Sequence, residues 1–264
     1  MFVTDLDGTL LPTGKEVSEE NIRAVREAVA QGVVVTIATG RMYKASLPIA
    51  KALGVDVPII TYNGALIKSV AGEVLYTSFL PEKYILEILE FCRTKKWYIQ
   101  CYSDDELYYA ERNFFSEGYE KAQKILGRDV GWEGMKEHTG QVAKLLLISE
   151  TFEETKERIE ILRREFGDEV SVMSSNPHYA EVTNPGVSKA AGIERLAEIL
   201  GIDMAATMSI GDAENDLSML KATGKSIAMG NAVPQVKEIC DYVTGECEAD
   251  GFAEAIRKYV LRAR

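Results

Sequence analysis

The chain has 264 residues, with 30 Lys and Arg against 41 Asp and Glu, for a formal charge of −11. That balance argues against a nucleic-acid grip or a polybasic membrane-surface binder, both of which need positive surface. A chain of this length can form one large domain or two modest ones without staples, and a hydrophobic share of 46% with 27% charged residues is ordinary for a soluble globular protein.

Residues 1–4 predict a short apolar strand that stops at Asp5. Ser18 can cap a helix whose Ile22, Val25 and Val29 share one face and whose stop is Gly32. Residues 33–38 are nearly all apolar, as expected of a central parallel strand covered on both sides. A helix over 43–53, stopped by Gly54, and a buried strand at 59–61 follow. This alternation predicts a parallel sheet with helices on both faces. The middle differs: residues 82–183 hold 14 of the 22 aromatics, helices at 82–95 and 152–166, and strands at 97–102, 144–148 and 170–174. From about Asn184 the strand–helix alternation returns. An amphipathic helix over 189–200, with Gly201 as its cap, precedes a strand at 207–210 and a helix at 217–222. A strand at 226–229, a helix near 233–239, a strand at 242–244 and a last helix from Ala249 complete the chain. The expected layout is one α/β core, residues 1–81 with 184–264, carrying an α+β domain inserted at 82–183.

Cys92, Cys101, Cys240 and Cys247 form no CxxC pair, and His138 and His178 are the only histidines, so a His/Cys zinc site lacks its ligands. Reduced thiols in a cytoplasmic protein are expected. The longest apolar stretches fall far short of the ~20 residues that a spanning helix needs. Asp5 and Asp7 stand where a secretory leader would carry cations and then an apolar run.

The chemistry-bearing residues gather at predicted strand ends, where open α/β sheets bind ligands. Asp5-Leu6-Asp7-Gly8-Thr9 closes the first strand, and a turn at Asp7-Gly8 would let both acids face one cavity. Thr39-Gly40-Arg41 closes the second, offering a hydroxyl and backbone N–H groups for an anion. Lys189 opens a helix, where an ammonium opposes the helix dipole and a bound phosphate would relieve the conflict. Gly211-Asp212-Ala213-Glu214-Asn215-Asp216 follows another strand, so Asp212 could join Asp5. Converging acids repel unless a cation is present, and oxygen ligands without histidine suit Mg²⁺. Each group alone could be a turn, a helix cap or a solvated side chain. Together they are the parts of phosphoryl transfer: nucleophile, acid/base, charge clamps and metal.

In these motifs the chain resembles the haloacid dehalogenase superfamily, and within it the Cof-type phosphatases with an inserted α/β cap. The motifs are Asp5-Leu6-Asp7-Gly8-Thr9-Leu10, Thr39-Gly40-Arg41, Lys189 in Gly186-Val187-Ser188-Lys189, and Gly211-Asp212 with Asn215-Asp216; Tyr62-Asn63-Gly64-Ala65 matches a further signature. Ala190 stands where members usually have Gly after the lysine. The resemblance implies a Rossmann-like core and Mg²⁺-dependent hydrolysis of small phosphorylated metabolites, sugar phosphates or similar, through an aspartyl-phosphate. Asp5 would be the nucleophile and Asp7 the acid/base. Mg²⁺ would sit on the Asp5 carboxylate, the Asp7 main-chain carbonyl and Asp212. Thr39 and Lys189 would hold phosphoryl oxygens, aided by Asn215, with Gly8, Gly40 and Asn63 lining the site and Asp216 bonded to a metal water or to Lys189. Glu181 would meet the substrate from the cap, or else be an exposed strand acid. A phosphohexomutase and a non-catalytic phospho-ligand binder are the alternatives. The expected partner is a small phosphorylated substrate, with no nucleic acid and no membrane, for a monomer or small homo-oligomer.

Overall fold

The computed structural model describes residues 1–261. It divides into two compact units: Met1–Gly40, Ser46–Tyr76 and Ser188 onward form the first, and Arg41–Ala45 with Thr77–Val187 the second.

The first unit holds a five-stranded parallel sheet in the order Tyr242–Val243, Lys225–Ala228, Met208–Gly211, Phe2–Thr4, Val35–Ile37. The apolar strand read at the N-terminus is therefore central, and Phe2 and Val3 are fully buried. Ile59–Thr61 stands beside this sheet through a parallel bridge between Ala38 and Ile60, and it pairs antiparallel with Leu66–Lys68. Helix Glu19–Ala30 packs on Gly251–Ala255, while Lys189–Leu200 packs on Leu217–Ala222 and on the Tyr62–Gly64 turn. Ser18 caps the first of these helices by accepting from the Asn21 N–H at 3.1 Å. Its buried face is Asn21, Ala24, Val25 and Ala28, rather than Ile22, Val25 and Val29, and Val29 is exposed. The reason is Asn21, whose side chain is fully buried and accepts from the Ala253 N–H at 3.1 Å. A polar residue anchors the face that periodicity had given to Ile22.

The second unit is a six-stranded sheet in the order Ser171–Asn176, Tyr179–Thr183, Val142–Ile148, Ile99–Ser103, Glu106–Tyr109, Arg128–Asp129. All pairs are antiparallel except the last. One face (Cys101, Leu145, Leu147, Val182) forms a core with Ile85, Ile88, Ile159 and Leu162 from helices Glu82–Lys95 and Phe152–Phe166. Both helices have the ends that the sequence predicts. The strand Glu106–Tyr109 and the helix Phe114–Gln123 lie outside those expectations. The helix is started by a capping box between Asn113 and Ser116. The aromatics here are not simply core. Phe114 is 82% exposed, and Tyr102 and Tyr109 are buried but hydrogen-bonded, to Gln100 and Glu120 respectively. Fold class thus stands as expected: a parallel α/β core with an additional sheet domain. Among the described residues, no helix is long and apolar enough to cross a membrane.

Candidate active site

Parallel register brings the strand ends together. Thr4 pairs with Ile37 on one side and Ile210 on the other, so Asp5, Ala38-Thr39 and Gly211-Asp212 leave the sheet at the same edge. Asp5 N–H still bonds the Ile210 carbonyl at 3.2 Å, and Thr39 N–H bonds the Ile60 carbonyl at 3.0 Å. The chain then turns about the Leu6 carbonyl, which accepts from Thr9, Leu10 and Leu11 N–H groups. Buried Leu6 and Leu10 hold the turn down while Asp7 stays exposed. Gly8 has φ +78°, and a Cβ there would lie 2.3 Å from Asp212 Oδ2. Only glycine permits that approach. Thr9 Oγ1 then donates to Asp212 Oδ1 at 2.7 Å, a contact absent from the expected site.

Lys189 is the first residue of its helix, with Ser188 as N-cap accepting from the Ala191 N–H at 3.1 Å. Its Nζ is buried and donates to Asp5 Oδ1 at 2.5 Å and to Asp216 Oδ1 at 2.6 Å. The other Asp216 oxygen, Oδ2, accepts from the Asp212 N–H at 2.9 Å and the Ala213 N–H at 3.0 Å. Asp216 is thus the internal counter-ion that folds the Asp212 loop around Lys189. Carboxylate oxygens of Asp5, Asp212 and Asp216 all lie within 4.8 Å of one another.

The electrostatics follow. Burial pushes the Asp5 carboxyl well above the ordinary carboxylate range; Lys189 pulls it back, and Asp216, Asp212 and Asp7 push it further. Burial, then the Asp216 charge, pushes Asp212 up to about 6, against the Thr9 hydroxyl and Lys189. Burial alone would lower Lys189, but the Asp216 and Asp5 charges override it and raise the ammonium above its usual value. Three carboxylates against one ammonium leave surplus negative charge in a dry place.

Asn63 enters from the Tyr62–Gly64 turn, where Tyr62 and Asn63 both have positive φ. Its N–H bonds the Thr39 carbonyl at 2.9 Å, and a Cβ on Gly40 would lie 3.0 Å from its Oδ1. The further signature and the Thr39-Gly40 motif are therefore one structure. Gly64 explains the fit: a Cβ there would lie 2.3 Å from the Ser188 carbonyl oxygen. Gly192, where a Cβ would lie 2.6 Å from Ile60, gives the Lys189 helix its close approach. That need is met at Gly192 although Ala190 replaces the usual glycine. Asn215 is half-buried on the Glu214–Asp216 turn.

Glu181 lies in the second unit and is not an exposed strand acid. It is 2% exposed, accepts from Lys144 Nζ at 3.0 Å and from Ser175 Oγ at 2.6 Å, and Lys144 also stands 5.0 Å from the Tyr102 ring centroid. Thr9 lies in the first motif but was given no role there, and Lys144, Ser175 and Asn231 were missed by motif reading. The last had a usable signal, since Asn231 follows the carboxyl end of the strand Lys225–Ala228, where polar residues of this sheet collect.

Comparison with known proteins agrees with this geometry. Residues 2–256 match the family described as haloacid dehalogenase-like hydrolase. The chain is similar to the 5-amino-6-(5-phospho-D-ribitylamino)uracil phosphatase YcsE of Bacillus subtilis, strain 168, at 32% identity over 99% of this chain and 96% of that one. Among solved structures, a haloacid dehalogenase-like hydrolase from Bacteroides thetaiotaomicron superposes with a TM-score of 0.89 at 30% identity, covering 97% and 98% of the two chains. The subclass IIB sugar phosphatase BT4131 gives 0.84 at 27% identity over 98% of each.

Proposed function

Because this chain belongs to the haloacid dehalogenase-like hydrolases and is a hydrolase of phosphoric monoesters, we propose that it dephosphorylates small metabolites of the sugar-phosphate kind, with Asp5 as nucleophile. The observation that carries this reading is the buried Lys189 ammonium, bonded to both Asp5 and Asp216. It orients the Asp5 carboxylate and offers positive charge where a phosphoryl group would arrive.

An Asp5 carboxylate oxygen attacks phosphorus as the ester P–O bond breaks, and Asp7 gives its proton to the departing oxygen. Asp7 then takes a proton from water. The water oxygen attacks the aspartyl-phosphate, the bond to Asp5 breaks, and inorganic phosphate leaves. Lys189 and Thr39 hold the phosphoryl oxygens throughout, with Asn215 beside them. The donor set fits Mg²⁺: it is all oxygen, and its surplus negative charge is what a divalent cation offsets. Both Asp216 oxygens are engaged by Lys189 and by backbone N–H groups, which leaves the Asp5 and Asp212 carboxylates to hold the ion, and the family resemblance adds the Asp7 main-chain carbonyl. When bound, it would neutralise charge on the phosphoryl oxygens.

Transfer to water rather than back to sugar is favoured by the arginines of the second unit. A mutase needs a second phosphate site, normally built from several arginines. Here Arg93 pairs with Glu133, Arg112 with Glu120 and Arg164 with Glu165, while Arg158 and Arg163 donate to the Ile148 and Val172 carbonyls. All four cysteines are free, which accords with a cytoplasmic setting. The test is to incubate the enzyme with a hexose 1-phosphate, with and without a hexose bisphosphate, in Mg²⁺ and then in EDTA, following products by phosphorus NMR. Inorganic phosphate should dominate and stop in EDTA. Bisphosphate-dependent 6-phosphate would establish a mutase, and full turnover in chelator would remove the metal.

A further inference from the structure

Gly8 is gripped from two sides. On one, it leans on the Asp212 carboxylate, and its neighbour Thr9 bonds Asp212 Oδ1 at 2.7 Å. On the other, its carbonyl accepts from Asn231 Nδ2 at 2.8 Å. Asn231 sits in the loop that follows the strand Lys225–Ala228. The same loop holds the Asp212 segment by its backbone: Met229 N–H bonds the Gly211 carbonyl at 3.1 Å, and Val233 N–H bonds the Asp212 carbonyl at 2.9 Å. The bonds close a ring from Asp212 through Thr9, Gly8, Asn231 and Val233 back to Asp212. The Asn231 amide orientation is fixed by a third segment, because its Oδ1 accepts from the Cys247 N–H at 2.8 Å. With the oxygen facing a donor, the NH₂ must face the Gly8 carbonyl.

We propose that Asn231 is a positioning residue for Asp212. It fixes the Gly8–Thr9 segment against the Asp212 carboxylate and thereby sets the affinity of the site for a divalent cation, an inference that rests on the Mg²⁺ reading above. Carboxylate ligands are held by outer partners of this kind, whose loss typically costs about 10–100-fold in metal affinity. An amide is needed because one contact accepts and the other donates. Aspartate keeps the first and loses the second; alanine loses both.

The experiment is calorimetric titration of Mg²⁺ into wild type, Asn231→Ala and Asn231→Asp without substrate, with melting in EDTA as a check on folding. Both variants should bind Mg²⁺ about tenfold more weakly, with EDTA melting points within about 4 °C of wild type. Saturating Mg²⁺ should restore most of their turnover, which a general loosening of the fold would not allow. Asn231→Asp is the stringent arm, because its added charge alone would tighten cation binding. Wild-type affinity in Asn231→Ala would overturn the proposal. Wild-type affinity in Asn231→Asp with weak binding in Asn231→Ala would also overturn it, by assigning the effect to the Cys247 contact. Absence of Mg²⁺ binding by wild type would instead remove the metal reading, and this inference with it.

Discussion

Replacing Lys189 by Met removes the ammonium but keeps most of the buried stem. The two carboxylates that it bridges, Asp5 at 2.5 Å and Asp216 at 2.6 Å, are then left buried without their cation. Breaking a buried pair by removing one partner costs about 3–5 kcal/mol. For a folding unit of about 150 residues, each 1 kcal/mol lowers Tm by about 2–4 °C, so a fall of about 6–20 °C is expected in EDTA at neutral pH. The pH dependence has a definite sign. Burial already raises the Asp5 carboxyl well above its ordinary value, and removing Lys189 raises it further. A carboxyl raised in the folded state binds its proton more tightly there than in the unfolded chain, so its cost is full above the raised value and fades as pH falls toward about 4. Thermal unfolding of wild type and variant at pH 5 and pH 8 in EDTA measures both effects. The deficit should be large at pH 8 and visibly smaller at pH 5. A variant that melts with wild type at pH 8, or whose deficit grows in acid, would refute the argument.

Asp5→Asn nearly keeps the shape and removes the attacking charge, so turnover should fall to background while the melting point in EDTA holds or rises. Retention of more than a few per cent of activity would indicate direct attack by water. Asp212, pushed up to about 6, must release its proton to bind a cation, so calorimetric Mg²⁺ affinity should rise between pH 5.5 and 7.5 and level off above; a flat profile would place the cation elsewhere. In the second unit, Lys144→Met and Glu181→Leu should each destabilise by about 3–5 kcal/mol, while the double variant recovers much of the loss. Additive losses in chemical unfolding would show that the pair is not coupled. Activity separates a further role: if Glu181 meets substrate, Glu181→Gln should alter discrimination among sugar phosphates more than hydrolysis of a generic ester.

Residues whose role is set by short-range grammar were legible. Ser18 read as a cap because a hydroxyl before an apolar periodic run has few other uses, and Asp5, Thr39 and Asp212 read as a group because each ends a buried run. What escaped depends on distant partners. Lys144 meets Glu181 across the sheet, Thr9 meets Asp212, and Asn231 reaches back to Gly8. The hairpin strand Glu106–Tyr109 escaped because its turn is Asp104-Asp105, both at positive φ without a glycine to announce it.

The place of Phe2–Thr4 between Val35–Ile37 and Met208–Gly211 sets a timetable for biosynthesis. The strand that carries Asp5 is made well before its neighbour, and one of its edges waits for a partner some two hundred residues downstream. At about 5–20 residues per second, that wait is roughly 10–40 seconds on the ribosome. Throughout it, half the hydrogen-bonding edge of a three-residue apolar strand is open, and its brevity limits what foreign strands can do with it. The residues between belong largely to a compact unit of their own, whose strands pair mostly with sequence neighbours or near neighbours. Non-local parallel pairing is the slow step in such topologies. Asp5, the proposed nucleophile, is therefore made some two hundred residues before Lys189, Asp212 and Asp216 have all emerged to group with it.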